Sequence, residues 1–293
     1  MTRRTLLLVA CGLLLATAAF AQAFTVSYLD GTTEIQSAKG WKALSIGDQV
    51  PADATVRLSQ DASLELQRGK TKITLLKDGT YAMANFAKSG DTAAGGVGGA
   101  IAQKLSGLVT EKPKASAAGG VRGADQSGSS VTWVDEGDET LATVQALLDK
   151  KQYNDAVKAL NSAIVDAGSD ADAAQFTYLL GVAYYGNGQV AKAYRTLQKV
   201  NATPDMDWYA RFIILKAQVL VDSASYKDAL DVLTPFIASY PTGEATQVAW
   251  LLTGLSKKGL QDNAGARAAF DSGYQLDATT DTAKLIDQQR KAQ

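Results

Sequence analysis

Histidine and cysteine, two side-chain types on which much enzyme catalysis depends, are almost missing from this sequence. The chain of 293 residues has no histidine and one cysteine, Cys11. Without an imidazole there is no Ser-His-Asp triad, no Cys-His dyad and no histidine ligand for a metal ion. The remaining options for catalysis are a pair of carboxylates or a serine activated by a lysine.

Carboxylates cluster at three places, each just before a predicted helix. The clusters are residues 135–139, Asp170 with Asp172, and Asp205 with Asp207. Acids at helix N-termini accept free backbone N–H groups and complement the helix dipole. None of the clusters has the alternating oxygens, the glycine turn and the final glutamate of a calcium loop. We therefore interpret them as capping residues and expect no metal site.

Two remaining patterns could bind a nucleotide or supply a nucleophile, but neither fits its motif. The glycine run at residues 95–99 lacks a dinucleotide fingerprint, because Ile101 stands where a third small residue is required. No Ser-x-x-Lys pair occurs in a suitable context. We therefore expect a non-enzymatic protein without a cofactor, and a glycan or peptide hydrolase that uses carboxylates alone is the least favoured alternative.

The N-terminal segment 1–23 is typical of a secretory signal peptide. Two arginines precede an apolar run over residues 6–15, and small residues follow it. Cleavage after Ala21 or after Ala23 satisfies the small-x-small rule, and retention as a membrane anchor is the alternative. We therefore expect a periplasmic or secreted protein.

Residues 8–11 resemble the lipobox of bacterial lipoproteins. Cleavage before Cys11 would leave only ten residues of signal, so we do not expect a lipoprotein. The formal net charge is −1, without the basic stripe that nucleic-acid binding requires. No later stretch reaches the roughly 18 apolar residues of a membrane span. The expected partner is a protein or peptide of the cell envelope.

Residues 24–88 predict a small all-β sandwich or roll. Short alternating segments are separated by turn residues, as in such folds. Leu64 and Leu66 share one face, which predicts a half-buried strand. A further strand at 131–134 is expected to complete this domain. The predicted strands are 25–29, 32–35, 55–58, 63–66, 71–75 and 80–83.

Residues 89–130 are rich in glycine, alanine and serine and predict a flexible linker, because such a composition buries little apolar area. A short helix is predicted inside it at 101–109. From residue 135 to 293 the apolar period becomes helical, and a final helix is predicted at about 280–291. The chain is therefore an α+β multidomain protein.

The helical region repeats four times. Four alanines are 37, 36 and 37 residues apart. Each is followed four positions later by a large apolar residue and preceded twelve positions earlier by a residue that is small in three of the four units. Helical hairpins need this pairing where two helices cross closely, so a four-unit solenoid is predicted. The alanines are Ala156, Ala193, Ala229 and Ala266, the large residues Leu160, Leu197, Leu233 and Phe270, and the earlier ones Val144, Gly181, Ala217 and Gly254.

On these residues, segment 138–291 resembles the tetratricopeptide repeat (TPR) family. The second unit is the best match, with Gly181, Tyr184, Ala193 and Leu197. This resemblance implies a solenoid whose first helices line a groove for protein–protein interaction.

The β-segment resembles the FecR-like periplasmic domain. The similarity is carried by residues 26–31, 40–48, 62–66, 77–80 and 120–124. FecR proteins proper pass a signal through a membrane helix, which this chain lacks, so we do not transfer that activity. The resemblance implies an envelope-binding or sensing module.

TPR geometry turns the second, fifth, ninth and twelfth positions of each first helix into the groove. Repeats that clamp a carboxylate use Lys and Asn at several of these positions, and this set has almost none. The mostly apolar set suits a helix or an extended apolar segment. Packing inside the solenoid is the alternative. The candidate partner-binding residues are Gln145, Tyr178, Val182, Tyr185, Arg211, Ile214, Gln218, Leu251, Leu255 and Lys258.

The sequence thus favours an exported scaffold that binds one partner through the TPR groove and a second envelope ligand through the β-domain. The alternative is a sensor, in which the β-domain binds a ligand and the solenoid relays the signal to a membrane partner.

Overall fold

A computed structural model describes residues 23–87 and 136–292. The chain forms two compact units. The β-unit contains all the strands of the described residues, and the helical unit contains nearly all residues of the long helices. Most of the predicted signal peptide, the linker at 89–130, the helix at 101–109 and the strand at 131–134 lie outside the described residues.

The β-unit consists of two four-stranded antiparallel sheets. Sheet A has the strand order β4-β1-β6-β7, and sheet B has the order β3-β2-β5-β8. All six predicted strands are present, but β3 and β4 were not predicted because they are too short to show alternation. The elements are β1 (Phe24–Asp30), β2 (Thr33–Ser37), β3 (Gly40–Ala43), β4 (Gln49–Val50), β5 (Thr55–Leu58), β6 (Ser63–Arg68), β7 (Thr71–Leu75), β8 (Gly79–Ala82) and the single-turn helix α1 (Ala84–Ala87).

Both sheets contribute to one apolar core, which includes Phe24 and Leu64 from sheet A and Val56 from sheet B. The prediction that β6 is half-buried is wrong, because Ser63 and Glu65 on its other face are also buried. The Glu65 carboxylate lies 3.6 Å from Lys72 Nζ, which compensates part of the cost of burying its charge. Strand β6 is central in sheet A, between β1 and β7.

The helical unit contains four helical hairpins followed by one further helix, over residues 136–292. The fourth helix of the unit is short, and an irregular segment at 198–208 connects it to the next hairpin. The helices are α2 (Glu136–Asp149), α3 (Tyr153–Asp166), α4 (Asp170–Gly186), α5 (Val190–Leu197), α6 (Tyr209–Asp222), α7 (Tyr226–Ser239), α8 (Glu244–Gly259), α9 (Asn263–Leu276) and α10 (Asp281–Lys291).

The hairpins cross where the sequence pairs a small residue with a bulky one. In the second unit, a Cβ at Gly181 would lie 2.6 Å from Leu197 Cδ2. In the fourth unit, a Cβ at Gly254 would overlap the Phe270 ring. Real Cβ atoms do not approach so closely, so only glycine allows α4 to reach α5, and α8 to reach α9, at these distances. The predicted pairing is therefore confirmed in these two units.

Every hairpin turn repeats one backbone motif. In each turn the second residue after the end of the first helix has a positive φ of 55–70°. Its N–H bonds a carbonyl three residues earlier, and the next N–H bonds a carbonyl five residues earlier, as in a Schellman motif. Three of the four positions are not glycine, so residue type did not reveal the motif. The positive-φ residues are Lys151, Gly188, Ala224 and Gln261.

The predicted C-terminal helix is present as α10. The Thr280 side chain accepts a hydrogen bond from the Ala283 N–H at 3.0 Å and caps its N-terminus. Its buried Ile286 packs where Gly273 leaves space on α9, and Arg290 Nε lies 2.8 Å from Asp271 Oδ1. Helix α10 therefore packs against the last hairpin.

Candidate functional site

The ten predicted groove residues lie on the first helices of the hairpins, α2, α4, α6 and α8. The structure divides them into two equal groups. Five are buried, with exposed fractions between 0% and 6%, and five are partly exposed. The buried residues are Tyr178, Val182, Ile214, Gln218 and Leu251. The partly exposed residues are Gln145, Tyr185, Arg211, Leu255 and Lys258.

Tyr178 shows how the buried group packs. Its ring stacks on Trp208 with centroids 5.2 Å apart and meets Phe212 edge-on at 6.2 Å. Burial raises the pKa of its hydroxyl well above the ordinary value, and the nearby Arg211 charge lowers it by a smaller amount. The assignment of Tyr178 to an open groove is therefore wrong, because an aromatic cluster encloses its ring.

The other four buried residues also correct the prediction of a mostly apolar groove. Ile214 and Leu251 occupy the same fifth position as Tyr178, and Val182 and Gln218 occupy the ninth position in the two middle units. A side chain with almost no exposed surface cannot contact a partner. Internal packing, the alternative derived from the sequence, accounts for these four positions.

We call the five partly exposed residues the inner strip, since each lies on the first helix of a hairpin. The strip contains two cations and no acid, since Gln145, Tyr185 and Leu255 are uncharged. A guanidinium NH2 group of Arg211 donates to the Asp207 carbonyl at 3.5 Å. Lys258 Nζ donates to Gln289 Oε1 at 3.5 Å, so α10 contacts the C-terminal end of the strip.

Among the four groove positions of the repeat, the twelfth is the one most often partly exposed. At the twelfth position, Tyr185, Val221 and Lys258 are all partly exposed, and only Leu148 is buried. On α6 between them, burial lowers the pKa of Lys216, whose ammonium group lies 5.6 Å from the centre of the Phe212 ring. The strip offers amide, phenol, guanidinium and ammonium donors, which suit binding of backbone and carboxylate oxygens.

Sequence reasoning missed Gln247, a buried residue of α8. Its Nε2 donates to the Gly273 carbonyl at 3.0 Å and to the Asp277 carbonyl at 2.6 Å. Its Oε1 accepts from Thr280 Oγ1 at 2.6 Å. The single amide thus joins α8, the end of α9 and the start of α10, and no periodic signal marks such a residue.

A cavity of about 540 Å³ opens beside Gln247. Three carboxylates and no basic residue line it. Hydrogen bonds from the Thr279 hydroxyl and N–H hold the pKa of Asp277 below its usual range. No group of three or more acidic, cysteine or histidine side chains in the described parts of the chain is arranged to hold a metal ion. The lining residues are Thr242, Gly243, Glu244, Gln247, Leu276, Asp277, Thr280 and Asp281.

The acidic clusters have different local roles. At α4 the cap is Ser169, which accepts from the Asp172 N–H at 3.2 Å and donates to Asp172 Oδ2 at 2.7 Å. A hydrogen bond from the Thr203 side chain is the main reason that the pKa of Asp205 is lowered. Asp135 lies outside the described residues. Thus Asp172 supports a cap supplied by its neighbour rather than providing the cap.

Residues 149–236 match the protein family described as "Anaphase-promoting complex, cyclosome, subunit 3". This match lies within the four hairpins and supports a TPR-like helical repeat. No curated protein sequence matches the chain. None of the helices in the described ranges is long and apolar enough to cross a membrane.

Two solved structures are similar to this chain. One is the MamA RS-1 ArsTM double mutant, with 21% identity and a TM-score of 0.43, covering 54% of this chain and 88% of its own. The other is MamA 41-end from Desulfovibrio magneticus RS-1, with 20% identity and a TM-score of 0.43, covering 54% of this chain and 89% of its own. Likeness at this level carries no argument about function.

Proposed function

We propose that the protein is a non-enzymatic, exported adaptor that binds a protein or peptide partner along the inner strip. The observation that carries this proposal is the recurrence of partly exposed side chains on the first helices of the hairpins, while their neighbours on the same helices are buried. A strip mounted on packed helices is preformed, so less ordering entropy opposes binding.

The composition of the strip changes the expected partner. Four of the five buried groove residues are apolar or aromatic, whereas Arg211 and Lys258 are among the partly exposed ones, with Leu255 as the aliphatic member of the strip. An extended segment that carries carboxylates therefore suits the strip better than an apolar helix. Its acids would form charge-assisted hydrogen bonds with the two cations.

Export is supported by the basic start, the apolar run and the small residues of segment 1–23. We propose a periplasmic location and a second role for the β-unit as a FecR-like envelope-binding module. The glycine-rich segment between the units would raise the effective concentration of one ligand near the other.

Copurification with a matched control tests the strip. Arg211→Ala removes one cation of the strip, and Arg267→Ala removes a cation from the exposed surface of α9. Envelope proteins that copurify with the unaltered chain and with Arg267→Ala should be depleted by about tenfold with Arg211→Ala, the effect of losing one charge-assisted contact. Equal recovery with both variants would contradict the strip assignment.

Mass spectrometry of the protein purified from the envelope fraction tests export. Cleavage after Ala21 or Ala23 predicts a chain that begins at Gln22 or Phe24. A chain that keeps Met1–Ala21 and is found in the cytoplasmic fraction would contradict export without affecting the strip.

A further inference from the structure

The two sheets of the β-unit differ on their outer faces. On sheet A, Ser63, Glu65 and Thr74 on the outer face are buried, and Gln67 is exposed. On sheet B, the corresponding face is open to solvent, with Gln36, Ala43, Arg57 and Thr80 exposed. Strand pairing places these side chains side by side, since Gln36 is opposite Trp41 and Arg57 is opposite both Glu34 and Thr80.

An aromatic ring and an ion pair lie next to each other on the open face. The Arg57 guanidinium carbon is 4.4 Å from the centre of the Trp41 ring. Arg57 Nε also donates to Glu34 Oε2 at 2.9 Å. The stacking fixes the orientation of the indole, and the ion pair leaves this face without net charge.

We propose that the outer face of sheet B binds an extended, uncharged glycan chain. This inference names a ligand class for the second module of the proposed function and does not depend on the inner strip. A sugar ring would stack on the face of the Trp41 indole opposite Arg57. The Gln36 amide, the Glu34 carboxylate and the Arg57 guanidinium would bind the sugar hydroxyl groups beside it.

Three features of the face favour a glycan over other ligands. Ala43 and Thr80 on this face are small, so a ribbon-like chain meets no bulky side chain at these two positions. Its charges are paired, whereas nucleic acid and anionic membranes bind to surfaces with an excess of Lys and Arg. Among the described residues of this face, Trp41 is the one large aromatic side chain, whereas a protein interface contains a cluster of buried apolar anchors.

Calorimetry on the purified full chain tests this proposal, with chitohexaose and cellohexaose as soluble uncharged probes. We expect saturable binding of at least one probe and a loss of about tenfold in affinity for Trp41→Ala, the value of one aromatic contact. Trp41→Phe keeps a ring and should retain most of the affinity. Gln36→Ala should weaken binding, and the matched control Gln67→Ala, an exposed glutamine of sheet A, should not.

Thermal melting of each variant tests whether the fold is kept. We expect an unchanged Tm for the Trp41 variants, because Trp41 lies on the edge strand β3 outside the core. Absence of saturable binding of both probes to the folded chain would overturn the proposal. Unchanged affinity of Trp41→Ala, or binding of polyglutamate or phosphatidylglycerol vesicles instead of the glycans, would also overturn it. Each of these results leaves copurification through Arg211 unaffected, so failure of the glycan site and failure of the strip are distinguishable.

Discussion

The helical unit and the β-unit differ in how far apart along the sequence their contacting residues lie. In the helical unit, each close crossing joins residues 16 positions apart, as Gly181 and Leu197 do, and the pattern recurs in the next unit. In sheet A, Thr25 pairs with Gln67, so the sheet forms only when distant segments meet. A defect in the helical unit should therefore remain near its hairpin, whereas a defect in the β-unit should affect both sheets.

The largest effect is expected from Leu64→Ala in the central strand β6. Leu64 is fully buried in the core that both sheets share, and the cavity should lower the free energy of unfolding by about 4 kcal/mol. Hydrogen-exchange mass spectrometry should show faster exchange in all strands of both sheets. The control Ile46→Ala truncates an apolar side chain that is 67% exposed and should change little. Faster exchange confined to β6 and its neighbours would contradict the comparison.

Gly254→Leu should destabilise the helical unit by about 3 kcal/mol, because the added side chain overlaps Phe270. Exchange should accelerate in α8 and α9 and return to normal towards α3. Gly168→Leu is the matched control, since a Cβ at Gly168 meets no atom within 4 Å. Equal acceleration along all helices would show that the unit unfolds as one block.

Ala224→Gly should stabilise the helical unit by about 1 kcal/mol, because Ala224 has φ 55° and glycine adopts this conformation without a Cβ clash. Gly188→Ala, at the equivalent turn with φ 70°, should have the opposite effect. Urea denaturation of the two variants measures both changes. Shifts of the same sign would contradict the equivalence of the turns.

The smallest effect concerns the pH dependence of the cap of α9. The hydrogen bond from the Gly265 N–H, with a lesser contribution from Lys257, holds the pKa of Asp262 below its usual range. The stabilisation is fully present above the ordinary aspartate pKa of about 3.9 and is lost as the pH falls through the lowered folded value. Asp262→Ala should therefore melt earlier than the unaltered chain at pH 7, and the two should converge near pH 2. A difference in Tm that does not depend on pH would contradict this role.

The fold could be predicted at positions where a local contact allows only one type of residue. Gly181 and Gly254 are glycines because a neighbouring side chain occupies the space of their Cβ, so their spacing marked the crossings. Lys151, Ala224 and Gln261 have the same backbone conformation as Gly188, but their side chains do not show it. Strand β4 has two residues, and its pairing with β1 is visible only in three dimensions.

The candidate site was predicted with less success because position in a repeat does not determine exposure. Family geometry placed Tyr178 and Tyr185 in the same groove, but Tyr178 is enclosed by Trp208 and Phe212, which follow in the next unit. The cluster depends on the irregular segment at 198–208, which follows the short helix α5 and places Trp208 against the Tyr178 ring. Gln247 was missed because its three hydrogen bonds reach residues 26 to 33 positions away.

Photocrosslinking in intact cells tests the central claim, that the inner strip binds a partner, most directly. A benzophenone amino acid replaces Tyr185 in the strip or, as the matched control, Tyr194 on the second helix of the same hairpin. The account predicts one discrete crosslinked species from position 185, absent from position 194 and weakened by Arg211→Ala in the same chain. No crosslink from position 185, or the same species from both positions, would contradict it.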